Sequence, residues 1–229
     1  MSKILIETVN LKKTYQHFDG NITLFNNLNL KIKQGELVAL VGPSGSGKSS
    51  LLHLLALLDE PTRGDIKIND IPTKKFTEEK KDETRRKNIS IIFQDNNLLN
   101  DFTAIENVMM PLIIQGKNIL HAKKEAQTIL KIVKILERSQ HFPNELSGGE
   151  QQRVAIARAL IAETNLILAD EPTGNLDYKT SKEIFSYFLK LKKLKKTIIF
   201  ATHNRELANR ADYKLLISNG DIKRVNARG

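Results

Sequence analysis

The stretch Gly42-Pro43-Ser44-Gly45-Ser46-Gly47-Lys48-Ser49 decides the fold of this chain. It follows the short apolar run Leu37–Val41, which is typical of a buried parallel strand, and it precedes a helical pattern from about residue 48 to 58. A glycine, four residues and then Gly-Lys-Ser, placed between a strand and a helix, is the phosphate-loop pattern. The stretch therefore predicts a site for the phosphates of a nucleotide.

Each residue type in this stretch has a physical role at a phosphate. The glycines allow the backbone to curl so that successive amides face phosphate oxygens, and the helix N-terminus favours negative charge. We expect Lys48 to reach the β and γ phosphates and the hydroxyl of Ser49 to serve Mg²⁺. The alternative is a glycine-rich turn with a surface lysine, which the combined spacing and the strand-to-helix context disfavour.

A second, acidic segment predicts the other half of a nucleotide site. Residues 166–169 are apolar and strand-like, and Asp170 follows at the carboxyl end, where ligands bind in open α/β sheets. We expect Asp170 to hold Mg²⁺ through water and the adjacent Glu171 to be the general base for an attacking water. The alternative is that these two acids only cap a helix or form a salt bridge. The presence of a phosphate loop in the same chain disfavours this alternative.

The patterns along the chain predict an α/β fold. Strands are expected at 4–9, 22–25, 28–33, 37–41, 65–68, 90–93, 166–169, 197–201, 214–217 and 222–225. After residue 149 the strands alternate with helices, which implies a parallel sheet covered on both faces. Residues 96–145 have a helical pattern, with an apolar face formed by residues 126, 129, 130, 133 and 136. The charged stretch 72–87 is expected to be solvated, and Asn219-Gly220 predicts a hairpin turn.

A further motif begins at Leu146 and reads Leu-Ser-Gly-Gly-Glu-Gln-Gln-Arg, followed by Val-Ala-Ile-Ala-Arg-Ala-Leu. Ser147, Gly148 and Gly149 at a helix start offer free amides and a hydroxyl to an anion. A capped helix beside a flexible loop is the alternative. The motif resembles the signature of ATP-binding-cassette ATPases, and the resemblance covers essentially the whole chain with its motifs in order.

The resemblance implies the P-loop NTPase fold of that family. We expect one nucleotide-binding domain over residues 1–229, with a parallel-sheet core, an antiparallel β subdomain and an inserted α-helical subdomain. The core and β lobe would occupy about 1–95 and 160–229, and the helical lobe about 96–159. In this family two chains pair head to tail, so that each ATP lies between the phosphate loop of one chain and the signature of the other.

The resemblance also assigns roles to single residues. Tyr15 resembles the aromatic that stacks on adenine, with nearby Phe18 as the alternative. Gln94 resembles the glutamine that senses Mg²⁺ and the attacking water, Asp177 lies in the loop that crosses the dimer interface, and His203 resembles the histidine that contacts the γ phosphate. The implied ATP-binding residues are Tyr15, Gly42, Pro43, Ser44, Gly45, Ser46, Gly47, Lys48, Ser49, Ser50, Ser147, Gly148, Gly149 and Asp177. The implied catalytic residues are Lys48, Gln94, Glu171 and His203, and those for Mg²⁺ are Ser49, Gln94 and Asp170.

Two departures from the family pattern are mild. Ser50 stands where threonine is common and retains the hydroxyl, and Asn204 follows His203 where aspartate is usual. Because neither change removes a catalytic group, we expect both sites of a homodimer to hydrolyse ATP.

The amino-acid composition excludes several classes of protein. The chain has 229 residues, no cysteine and a formal net charge of +10. The absence of cysteine excludes a disulfide scaffold, a thiolate metal site and a cysteine nucleophile. The longest nearly apolar run, 51–58, is far shorter than the roughly 18 to 20 residues of a membrane-spanning helix. The N-terminal residues lack an apolar run with a cleavage site, so we expect no secretion.

Residues 95–112, which include Asp-Phe-Thr-Ala-Ile-Glu-Asn-Val at 101–108, resemble the ATPases of lipoprotein-releasing systems, in the group of LolD, MacB and FtsE. Further matches are Leu58-Asp59 and Pro61-Thr62. The resemblance implies a peripheral ATPase on the cytoplasmic face of the inner membrane, bound under two transmembrane subunits resembling LolC and LolE. A groove near residues 94–110 would receive a short helix from each partner, and the lipoprotein itself would not touch this chain.

Three alternatives remain at this point. MacB-like efflux and FtsE-like division control keep the ATPase and change its task, although MacB carries its membrane region in the same chain. A soluble cassette that acts on nucleic acid would use the positive charge. Such proteins usually have two cassettes or a long coiled-coil insertion, so we expect no nucleic-acid partner.

Overall fold

The computed structural model describes residues 3–18 and 20–227. Its strands are β1 (Ile4–His17), β2 (Gly20–Lys33), β3 (Leu37–Val41), β4 (Arg63–Ile68), β5 (Ile71–Pro72), β6 (Ile89–Ile92), β7 (Leu166–Asp170), β8 (Thr197–Ala201), β9 (Tyr213–Ser218) and β10 (Asp221–Asn226). Its α-helices are α1 (Lys48–Leu55), α2 (Glu78–Asn88), α3 (Ala104–Ile114), α4 (Ile119–Ile132), α5 (Gly148–Ile161), α6 (Tyr178–Lys193) and α7 (Arg205–Ala208).

The central sheet has the strand order β10-β9-β3-β8-β7-β6. Strands β9, β3, β8, β7 and β6 are parallel, and β10 closes the edge as the antiparallel partner of β9. Alternate residues face opposite cores: Ala39 and Phe200 lie in one buried cluster, and Leu40 and Ile199 lie in the other. The α/β prediction of a parallel sheet covered on both faces is confirmed.

A second, antiparallel sheet has the order β2-β1-β4-β5. Strand β1 runs to His17 rather than to residue 9, and the two strands expected at 22–25 and 28–33 are one strand, β2. The pairing of β1 with β2 shifts register between Thr8 and Leu11 and again beyond it. These irregularities interrupt the alternation of apolar and polar residues. For this reason the sequence pattern predicts a shorter β1 and two separate strands in place of β2.

Three segments differ from the prediction in their helical extent. The charged stretch 72–87 is mostly exposed, as expected, but it also contains α2, which was not predicted. Its charges stand at helical spacing: Glu83 pairs with Lys80 and Lys87, and Thr77 caps the first turn. Helix α4 ends at Ile132. Val133, a member of the expected apolar face, is still buried at the end of the helix, whereas Leu136 is exposed. Helix α1 likewise ends at Leu55 instead of about residue 58.

Helices α3, α4 and α5 pack on one another and on one face of the central sheet. Asn107, fully buried in α3, donates to the backbone carbonyls of Leu99, Phe102 and Thr103 and accepts from the amide of Leu99. This side chain fixes the irregular segment that leads into α3. Along the described part of the chain, the helices are too short or too polar to cross a membrane.

Candidate functional site

A cavity of about 540 Å³ lies at the carboxyl ends of the parallel strands. Ser44 and its neighbours follow β3, Gln94 follows β6, Asp170 ends β7 and His203 follows β8. The cavity is lined by Tyr15, Ile22, Leu24, Ser44, Gly45, Gly47, Lys48, Ser49, Ser50, Gln94, Asp170, Glu171 and His203. Parallel strands bring these sequence-distant residues to one edge, where α/β folds bind their ligands.

The phosphate loop has a backbone that only glycine adopts without strain. Gly47 has φ 97°, and a Cβ there would lie 2.8 Å from Cζ of the buried Phe25. A Cβ on Gly42 would collide with the carbonyl oxygen of Ile217. Gly47 caps α1 without a side-chain hydrogen bond, so the first amides of this helix are left for a ligand. This arrangement leaves backbone amides that can donate to an anion.

Lys48 is buried, and its Nζ donates to the carbonyl oxygens of Gly42 at 3.0 Å and Pro43 at 2.9 Å. Two neutral carbonyls hold the ammonium group in place but do not balance its charge. A phosphate in the cavity would supply that balance.

Glu171 is the group best suited to act as a base. Its Oε1 is buried and has no hydrogen-bond partner among the residues that the structure describes. His203 Nε2 lies 3.6 Å from this oxygen, which is beyond hydrogen-bond distance, while Thr202 Oγ1 donates to Oε2 at 3.4 Å. Burial raises the pKa of Glu171, against the opposing influence of His203. A partly buried carboxylate with a raised pKa and an unused oxygen is equipped to accept a proton.

Gln94 lies on the cavity wall and is followed by an unusual pair of residues. Asn96 and Asn97 have φ values of 60° and 46°, in the left-handed region. Arg158 of α5 donates to both of their carbonyl oxygens at 2.7 Å. Arg158 could not be assigned a role from its sequence position, because only the fold places it behind the loop that carries Gln94.

Tyr15 also lines the cavity, and it pairs across the sheet with Ile22. Ile22 and Leu24 complete an apolar wall around it. Phe18, the alternative aromatic, is fully exposed and does not line the cavity. Ile22 and Leu24 were not predicted as site residues. Their alternation indicates a strand, but the sequence does not show that this strand pairs with the part of β1 that carries Tyr15.

The signature residues Ser147, Gly148 and Gly149 do not line this cavity. Ser147 caps α5 and exchanges hydrogen bonds with Glu150 in a capping box. Asp177 caps α6, and its loop contacts the signature helix, since Asn175 donates to Gln152. The two motifs thus form one surface of the chain, apart from the phosphate loop.

Three predicted ATP-binding residues of the phosphate loop, Gly42, Pro43 and Ser46, also lie outside the cavity lining. Gly42 and Pro43 hold Lys48 through their carbonyls. The hydroxyl of Ser46 is buried and lacks a partner among the described residues. Their roles at a nucleotide stay predictions.

Comparisons with known proteins agree with this geometry. A family model described as ABC transporter matches residues 25–174. The chain is 48% identical over 220 residues to the lipoprotein-releasing system ATP-binding protein LolD of Rickettsia bellii, covering 94% of this chain and 96% of that protein. It is 40% identical to the proteins of the same name from Bordetella pertussis, covering 95% of both chains, and Legionella pneumophila, covering 97% of this chain and 98% of the other.

Among solved structures, the ATP-binding cassette MJ0796 in a dimeric post-hydrolysis state bound to ADP and Pi superposes with a TM-score of 0.94 at 38% identity. That similarity covers 98% of this chain and all of the other. The phosphate loop follows β3, the acidic pair Asp170-Glu171 stands at the end of β7, and the signature motif leads into α5. With the family model and these relatives, they show that this chain belongs to the ABC transporter family of ATPases.

Proposed function

We propose that this chain is the ATP-hydrolysing subunit of an inner-membrane complex that releases lipoproteins toward the outer membrane. The observation that carries the proposal is the likeness, over nearly the whole chain, to proteins named for lipoprotein release from three bacteria, at 40 to 48% identity. In this proposal the chain sits on the cytoplasmic face of the membrane, beneath two transmembrane subunits resembling LolC and LolE.

In this proposal, different residues of the cavity bind different parts of ATP. Tyr15, Ile22 and Leu24 offer an apolar wall for adenine, and the loop amides with Lys48 hold the phosphates. Ser49, Asp170 and Gln94 line the same cavity with the oxygen ligands that suit Mg²⁺. When bound, Mg²⁺ would neutralise phosphate charge. In this proposal Glu171 takes the proton of the attacking water. The exposed His203, whose Nε2 lies 3.6 Å from Glu171 Oε1, would contact the γ phosphate.

The position of the signature supports a head-to-tail dimer. Ser147 and Gly148 are exposed and lie away from the cavity of their own chain. The similar cassette MJ0796 is dimeric. Two copies of this chain, each presenting the surface around Ser147 and Asp177 to the phosphate loop of the other, would enclose two nucleotides.

A groove of about 590 Å³ supports the proposed contact with the transmembrane subunits. Its lining is mostly apolar and is formed by α2, β6, α3 and α5, with Asn97 of the loop after Gln94 at its edge. Residues 94–110, which were expected to form the groove, contribute Asn97 to this lining. Phe93 and Pro111, which also line it, lie just outside the expected range. A helix seated there would touch the loop that carries Gln94, which gives a direct route from the partner to the ATP site.

Glu171→Gln tests the assigned chemistry. The amide keeps the size of the side chain and cannot accept the proton, so the variant should bind ATP, accumulate as a dimer and lose at least about a hundredfold in turnover. Light scattering with and without ATP and a phosphate-release assay measure both. Glu163→Gln, at a glutamate in the turn after α5, is the control. Wild-type turnover in Glu171→Gln would remove this residue from its assigned role.

Reconstitution tests the cargo. The chain, copurified with its membrane subunits and placed in proteoliposomes that hold a lipoprotein, should release that lipoprotein to a soluble carrier only with ATP. ATP hydrolysis without release would retain the ATPase and refute the lipoprotein assignment, in favour of efflux or division control. Salt-dependent binding to DNA or RNA would point to the nucleic-acid alternative.

A further inference from the structure

Residues 59–62, which contain part of the Leu58-Asp59 and Pro61-Thr62 pattern, lie against β1 beside Tyr15. The amide of Thr62 donates to the carbonyl of Lys12 at 2.8 Å, and its hydroxyl accepts from the amide of Thr14 at 3.0 Å. Lys13 Nζ donates to the carbonyl of Glu60 at 2.8 Å. Backbone and side-chain bonds thus fasten this segment to the strand on both sides of position 13.

Asp59 is the centre of a polar cluster within this contact. Its Oδ1 accepts from Lys13 Nζ at 2.6 Å, and its Oδ2 accepts from the Tyr15 hydroxyl at 2.7 Å. Lys13 also lies over the Tyr15 ring, with Nζ 4.5 Å from the centroid, within cation–π range. Lys13 is 8% exposed, so its side chain is shielded from water, while Asp59 and Tyr15 remain partly exposed.

The cluster leaves one part of Tyr15 free to meet a ligand. Lys13 covers one face of the ring and Asp59 holds its hydroxyl, yet Tyr15 keeps 37% of its surface exposed and lines the cavity with Ile22. Ser50, next to the phosphate-loop Ser49, lines the same wall. A planar base that enters the cavity meets a ring whose position is already fixed.

The charge states suit this arrangement at neutral pH. Burial and the hydrogen bond to Asp59 raise the pKa of Tyr15, so its hydroxyl remains a donor. Burial alone would raise the pKa of Asp59, but the bonds from Lys13 and Tyr15 hold it below its ordinary value. Asp59 is therefore a carboxylate that accepts from both neighbours.

We propose that Asp59 and Lys13 are positioning residues that fix the Tyr15 ring for the nucleobase of the bound nucleotide. The inference rests on the proposed role of Tyr15 at adenine. A side chain that is ordered before binding does not lose its rotamer freedom when the ligand arrives. Loss of that preorganisation weakens binding by about two- to tenfold.

The test compares two ligands that differ by the adenosine group. The full chain and the variants Asp59→Asn, Lys13→Met and Tyr15→Phe are titrated with ADP and with inorganic pyrophosphate. We expect the Kd for ADP to rise about two- to tenfold and the Kd for pyrophosphate to stay unchanged. Lys12→Met, at the next lysine along β1, which contributes its backbone carbonyl, is the matched control and should leave both constants unchanged.

Two results would overturn the inference. Unchanged ADP affinity in the three variants would show that the ring needs no such support. Equal weakening toward ADP and pyrophosphate would show a general structural role. Tyr15→Leu separates the two levels of the argument: if it weakens ADP binding and Asp59→Asn does not, the positioning role fails alone, and if it has no effect, the proposed role of Tyr15 fails with it. Should Asp59→Asn not fold, Tyr15→Phe carries the same comparison.

Discussion

Replacement of Gly47 by alanine tests how the phosphate loop is held against the core. The residue has φ 97°, and its added methyl group would lie 2.8 Å from Cζ and 3.2 Å from Cε1 of Phe25. Phe25 is fully buried in the core cluster on that face of the sheet, so its ring has little room to move. Gly45, two residues earlier, has φ 75° but open space around the same methyl position.

Comparing alanine variants of the two glycines separates the free-energy cost of backbone strain from that of the contact with Phe25. Both alanine variants carry the left-handed backbone strain, about 1 to 2 kcal/mol, offset in part by the stiffer unfolded chain. Gly47→Ala adds the overpacking against Phe25, about 1 to 3 kcal/mol. The free energy of unfolding should therefore be lower in Gly47→Ala than in Gly45→Ala by about 1 to 3 kcal/mol, which corresponds to a Tm lower by about 2 to 12 °C for a chain of this size.

Urea denaturation and thermal unfolding of the two variants, without nucleotide, measure this difference. A parallel ADP titration should show that Gly45→Ala, although the more stable of the two, binds ADP more weakly than wild type, because its methyl group projects from a wall of the cavity. Equal destabilisation of the two variants would refute the reasoning, since it would mean that the contact with Phe25 contributes nothing beyond the backbone strain.

Two further predictions concern catalysis. Burial raises the pKa of Glu171, and only the ionised carboxylate accepts a proton. The kcat of the wild type should therefore fall as the pH drops through a value above the ordinary 4.5 of a glutamate. A pH–rate profile without this decrease at low pH would contradict the assignment of Glu171 as the base. Arg158→Met removes the hydrogen bonds to the carbonyl oxygens of Asn96 and Asn97, so we expect the free energy of unfolding to fall by about 1.5 to 3 kcal/mol in a urea titration. In steady-state kinetics and ADP titration, kcat should fall more than the affinity for ADP. Equal losses of kcat and affinity would refute a role through the loop that carries Gln94.

Much of the site could be predicted because its chemistry lies in short contiguous segments. The phosphate loop and the acidic pair Asp170-Glu171 each consist of neighbouring residues at the end of one strand. Their geometry follows from the local chain: glycines set the turn, the helix start supplies amides, and the strand end aims the carboxylates. The signature was equally readable, since the capping box of Ser147 and Glu150 spans one turn.

Element bounds were less predictable where they depend on a distant partner. Strand β2 is continuous because β1 pairs along its whole length through several register shifts. Helix α2 was hidden because a run of charges resembles a solvated segment until the ion pairs at Glu83 are seen. Local propensity is a weak guide where pairing and charge spacing decide the outcome.

The sequence by itself determined the family, the α/β class and the phosphate-binding motif of this chain. Only the tertiary structure decided what surrounds that motif. It places Tyr15 on the cavity wall, fastens it to Asp59 across 44 residues, sets Arg158 behind the Gln94 loop and leaves the signature facing outward. The physical reason is that strand order and helix packing, which join residues far apart in the chain, set these distances, and no spacing along the sequence records them.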